Sequence, residues 1–159
     1  MPEREIRISL DEWARGEEIV AVERAARDLG LDAEVEASLG FRSVEVVAWH
    51  VLVAVAEHGV DWILGGIVGK WGIEAAAKLR DFIRDIGKAR EDAPVESGTV
   101  TIIDQKGNWI VFGDELPDEA YDKLLAESWE DLKGGYLLWD EERREWVDHT
   151  GNRKPSDPR

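Results

Sequence analysis

His50, Glu57, His58 and Asp61 lie within twelve residues of one another. Two carboxylates with a histidine can hold a divalent cation or share a proton. If the segment is helical, His50 and His58 are separated by about 12 Å of rise, too far to ligate one metal. Glu57 and Asp61 stand at i, i+4 and face each other if the helix continues through Gly59. One reading is therefore a metal-binding or hydrolytic centre on Glu57, His58 and Asp61. The other is a helix end where polar groups meet solvent, with His50 a satisfied core histidine. No nucleophile elbow, Walker loop, dinucleotide fingerprint or zinc-protease motif is present. The stretch GGIVGKWG lacks the phosphate-loop spacing and has no Ser or Thr after its Lys. The chain has no cysteine, which excludes disulfides, thiolate metal sites and a cysteine nucleophile. The chain is accordingly read as non-enzymatic, with no catalytic residue, metal or cofactor assigned.

The second constellation is acidic and aromatic. The formal net charge is -15. From Asp114 to Asp148 thirteen carboxylates face only Lys123, Lys133, Arg143 and Arg144. Trp129, Tyr136, Trp139 and Trp146 are embedded among them. Such a field repels nucleic acid and anionic lipid and attracts cationic proteins, while aromatics anchor an encounter. The expected partner-binding set is Asp118, Glu119, Asp122, Trp129, Glu130, Tyr136, Trp139, Asp140, Glu141, Glu142 and Trp146. The plainer reading is a solvated acidic surface with rings that tie the last elements to the core. Trp139 and Trp146 also read as a cross-strand pair. If the carboxylates formed a regular ridge they would imitate nucleic-acid phosphates; Arg143 and Arg144 weaken that alternative.

These residues need elements to position them. Glu5–Leu10 alternates and reads as a strand, the segment to Leu29 as a helix stopped at Gly30, and Leu31–Gly40 as a second strand. Ser43 is an N-cap for a helix over Val44–His58, followed by a second helical segment from Asp61. The uncharged run Val46–Ala56 is about half the length of a membrane span, so it reads as a buried core helix. Gly65 and Gly69 form a G-x-x-x-G pair, suited to a close helix crossing within the chain or to self-association. An amphipathic helix carries Ile73, Ala76, Leu79, Phe82, Ile83 and Ile86. Thr99–Ile103 and Trp109–Phe112 flank DQKGN as a hairpin. A helix is expected over LPDEAYDKLLAESWEDLKGG, then a terminal hairpin in YLLWDEERREWVDHT. The expectation is one α+β domain over residues 1–148 with a polar tail at 149–159. Its sheet would be four- to five-stranded and largely antiparallel, a ferredoxin-like split β-α-β variant, with the Val44–Arg90 helices on one face. MPEREIRISL has no apolar run behind its charges, so no signal peptide is read and a cytoplasmic setting is expected.

This order of strand, helix, strand, apolar glycine-marked helices, the hairpin GTVTIIDQKGNWIVFGD and a short acidic helix resembles the effector-associated constant component family of bacterial conflict systems. The resemblance covers residues 5–128 and leaves out YLLWDEERREWV. In size and acidity the chain is also similar to toxin-immunity proteins. Either resemblance implies a module that binds or inhibits another protein, a toxin or effector, and supplies no catalytic residues.

Overall fold

The computed structural model describes residues 6–11, 14–39, 49–56, 58–90, 98–113, 116–132 and 134–149. The elements are β1 (Ile6–Asp11), α1 (Gly16–Leu29), β2 (Ala33–Leu39), β3 (Trp49–Val55), α2 (Val60–Trp71), a 3-10 turn (Gly72–Glu74) and α3 (Ala75–Ala89). They continue as β4 (Gly98–Asp104), β5 (Trp109–Phe112), α4 (Asp118–Ala126), β6 (Tyr136–Asp140) and β7 (Glu145–Asp148). The fold is α+β, and the seven strands among the described residues form one mixed sheet in the order β2-β1-β3-β4-β5-β6-β7.

Pair directions alternate across the sheet. The pairs β1/β2, β3/β4 and β5/β6 are parallel; β1/β3, β4/β5 and β6/β7 are antiparallel. This corrects the expectation of four to five largely antiparallel strands. The N-terminal unit is not split either, because β1 and β2 are direct neighbours.

The largest difference lies at residues 49–55, where the expected helix is strand β3, between β1 and β4. Val51, Val53 and Val55 are buried to 2% exposure or less, while Leu52 and Ala54 on the opposite parity are half-buried. A central strand with both neighbours in place reads as a continuous apolar run, which mimics a helix that is oily all round. The alternate β-branched valines are the discriminating signal. The proposed cap Ser43 lies outside the described residues.

Helix α1 buries Val22, Ala25, Ala26 and Leu29 and ends at Gly30, whose φ is 94°. Gly30 N–H donates to the Arg27 carbonyl at 3.0 Å and Leu31 N–H to the Ala26 carbonyl at 2.9 Å. That pairing is a Schellman cap, which needs the left-handed residue that glycine supplies cheaply. Helix α3 buries Leu79, Phe82, Ile83 and Ile86 as its periodicity predicts, with Ala76 partly buried, whereas Ile73, expected on the same side, lies in the preceding 3-10 turn and is fully exposed. Helix α4 stops at Ala126 rather than running towards Gly134. The Trp129 indole folds back and donates to the Leu124 carbonyl at 2.8 Å, satisfying a group left open by the helix end.

The core is one contiguous cluster. Ile8 pairs with Val53, Val53 with Ile102, Ile102 with Ile110 and Ile110 with Leu137, all on the face that carries the helices. No helix among the described residues is long and apolar enough to cross a membrane.

Candidate protein-docking surface

The first predicted cluster does not assemble on one helix. His50 is on β3, half-buried, with Nδ1 3.2 Å from Thr99 Oγ1. His58 precedes α2 and stacks on Trp62, with centroids 4.1 Å apart and planes 12° from parallel. Asp61 lies in the first turn of α2, where its charge suits the positive helix end. Glu57 lies outside the described residues. The condition for that i, i+4 pair, a helix continuing through Gly59, is not met, because α2 begins at Val60.

The glycines of α2 also behave differently from the intramolecular-crossing reading. A Cβ built on Gly65, Gly66 or Gly69 meets nothing within 4 Å. The core side of this helix is Val60, Ile63, Leu64 and Ile67. Its outer side holds the glycines together with exposed Trp62 and Val68.

Sequence reasoning missed a buried ionic cluster where β1 meets α1 and α3. Arg90 and Asp11 are both fully buried, and Arg90 Nη2 donates to Asp11 Oδ2 at 2.6 Å. Arg90 Nη1 donates to Glu18, itself 5% exposed, and Arg15 Nε reaches Glu18 Oε1 at 3.2 Å. Burial pushes the Arg90 guanidinium below its ordinary value, and Asp11 acts against that shift. The partners are more than seventy residues apart in the chain, so no local spacing signals them.

A second missed hub joins β4, α2, the β4–β5 turn and the α4–β6 connection. Asp104 Oδ2 accepts the Val60 N–H at 2.8 Å and the Asn108 side-chain amide at 2.9 Å. Buried Asn108 also donates to the Leu132 carbonyl and accepts the Gly135 N–H, at 2.8 and 2.9 Å. Asp104 thereby caps α2, and Asn108 seats the segment leading into β6.

The predicted partner-binding residues divide among different surroundings. Trp129 is 2% exposed and belongs to the core, which corrects its placement as a contact residue. Its position after a helix end, with an indole N–H that needs an acceptor, is the reason. Trp146 is half-buried, donates to the Ala120 carbonyl at 2.8 Å and sits edge-on to Phe112. Trp139 stands opposite it across the β6/β7 ladder, ring centroids 5.8 Å apart, with Lys123 Nζ 5.8 Å from the Trp139 ring. Asp118 receives Arg80 and Arg84 at 3.2 and 2.9 Å, and Glu119 receives Arg144. Asp140 Oδ1 accepts the N–H groups of Glu142 and Arg143, both at 3.0 Å, shaping the β6–β7 turn. Asp122, Glu130, Glu141 and Glu142 remain exposed.

Tyr136 points to the opposite face of the sheet from Trp139. There it meets Trp109 of β5, centroids 6.0 Å apart. A single register row crosses six strands on this face: Glu34, Arg7, Ala54, Ile103, Trp109 and Tyr136. No protein-family model matches this chain, and comparison with curated proteins and with solved structures finds no significant similarity.

Proposed function

We propose that this chain is a non-enzymatic protein-binding or inhibitory module that engages a cationic protein, as an immunity protein or conflict-system adaptor would. The observation that carries this reading is the unequal charge pairing around α4 and the β6–β7 turn. Asp118 and Glu119 are matched by Arg80, Arg84 and Arg144. Asp122, Glu130, Glu141 and Glu142 have no cation at ion-pairing distance among the described residues. Such a surplus steers a cationic partner and sets its on-rate. Arg143 and Arg144 interrupt the carboxylates, which argues against a regular phosphate-like ridge.

The test is the affinity for a protein captured from the native host, measured across ionic strength. The expected result is an affinity that falls with salt and falls again in Glu141→Lys/Glu142→Lys. An affinity indifferent to both would overturn the reading.

A further inference from the structure

Parallel strand pairs are normally covered by helices on both faces. This sheet contains three such pairs, yet the apolar core parity of the central strands faces the same helical side, although Thr101, on the other parity of β4, is also buried at 5% exposure. On the other side, Trp109 is 40% and Tyr136 36% exposed, beside half-buried Ile103, Val111 and Leu138. Among the described residues, charge on this side is confined to its borders. Glu34, Glu36 and Arg7 stand at the β2 edge, with Arg7 3.8 and 3.9 Å from the two carboxylates. Asp140 of β6 and Glu145 of β7 are register neighbours at the other border, where Arg143 lies 3.7 Å from Glu145 and leaves Asp140 as the carboxylate in excess. Among the described residues, the strip between these borders is uncharged.

An uncharged strip bordered by carboxylates, in a chain of net charge -15, repels a second copy and attracts a cation-flanked apolar surface. A helix about 10 Å wide spans roughly two strand spacings of about 4.8 Å. One helix laid over β4–β6 therefore covers Ile103, Trp109, Val111 and Tyr136 together. Resting on the cationic-partner reading above, we infer that this open face receives an amphipathic helix of the partner. Its apolar stripe lies on the Trp109–Tyr136 pair and its lysines or arginines lie towards Asp140 and Glu145 at the β6–β7 border.

The experiment titrates the full chain with a synthetic amphipathic leucine–lysine helical peptide, followed by backbone and indole NMR shifts. Saturable shifts are expected at Ile103, Trp109, Val111 and Tyr136. Affinity should weaken about tenfold in Trp109→Ala and in Tyr136→Ala, as removal of an aromatic anchor does. Val111→Lys, which places a cation in the strip, should weaken it comparably. Shifts confined to Glu141 and Glu142 at the β6–β7 turn would overturn this inference and leave the cationic-partner reading standing. Absence of saturable binding anywhere would overturn both. A salt-resistant dimer of the free chain, dissociated by Trp109→Ala, would assign the face to a second copy and also overturn the inference.

Discussion

Arg90 and Asp11 form an ion pair at 2.6 Å in which neither side chain reaches solvent. Glu18 shares the same guanidinium, so one cation holds the end of β1, the start of α1 and the end of α3 together. Removing one partner of a buried ion pair leaves an uncompensated charge, at a cost of about 3–5 kcal/mol. Arg90→Met should therefore lower unfolding free energy by that order in a denaturant titration. Replacing Asp11, Glu18 and Arg90 together with apolar residues of similar volume should recover most of the loss. If Arg90→Met alone were neutral, the cluster would have no structural role.

Asn108→Ala should cost about 2–4 kcal/mol, because it leaves more than one buried group without its partner. The Leu132 carbonyl and the Gly135 N–H both lose the Asn108 amide. Chemical denaturation measures the loss. Nuclear magnetic resonance should place the largest shifts at residues 132–137 rather than at α1.

The three outward glycines of α2 give the opposite sign. Gly65→Ala, Gly66→Ala and Gly69→Ala should each stabilise the chain by about 1 kcal/mol, since the helix gains propensity and nothing is displaced. Gly30→Ala should destabilise it, because φ is 94° and the new methyl meets the Lys70 side chain. A thermal melt of the four variants tests both signs.

Burial pushes the Tyr121 phenol up from 10.0 to about 12. The folded state therefore holds this proton more tightly than the unfolded chain. Its contribution is fully present below pH 10 and is lost as pH rises towards 12. Stability should fall over that window in the native chain, and the fall should be smaller in Tyr121→Phe. A tyrosinate absorbance titration in a Tyr136→Phe background would show Tyr121 ionising together with unfolding.

Much of this architecture is legible in the sequence because local physics sets it. The period of α3, the cap at Gly30, the DQKGN hairpin and the Trp139/Trp146 pair each follow from residues close in the chain. β3 is misread because a strand flanked on both sides loses its alternation of apolar and polar residues, and only Val51, Val53 and Val55 keep the signal. The sheet's pairing directions depend on contacts between distant segments. So does the Arg90 cluster, whose members are spread from β1 to the end of α3. Trp129 was legible as an aromatic within acidic sequence, but its inward direction follows from where α4 stops.

β6 is joined to β5 through only two register pairs, Trp109 with Tyr136 and Ile110 with Leu137. That ladder is the shortest of the six strand pairs, and the amide protons of the β6–β7 hairpin should exchange with deuterium sooner than those of β1, β3 and β4. Any molecule seated across Trp109 and Tyr136 bridges that seam like a clasp. Slower exchange throughout the hairpin would then report occupancy even at residues the visitor never touches.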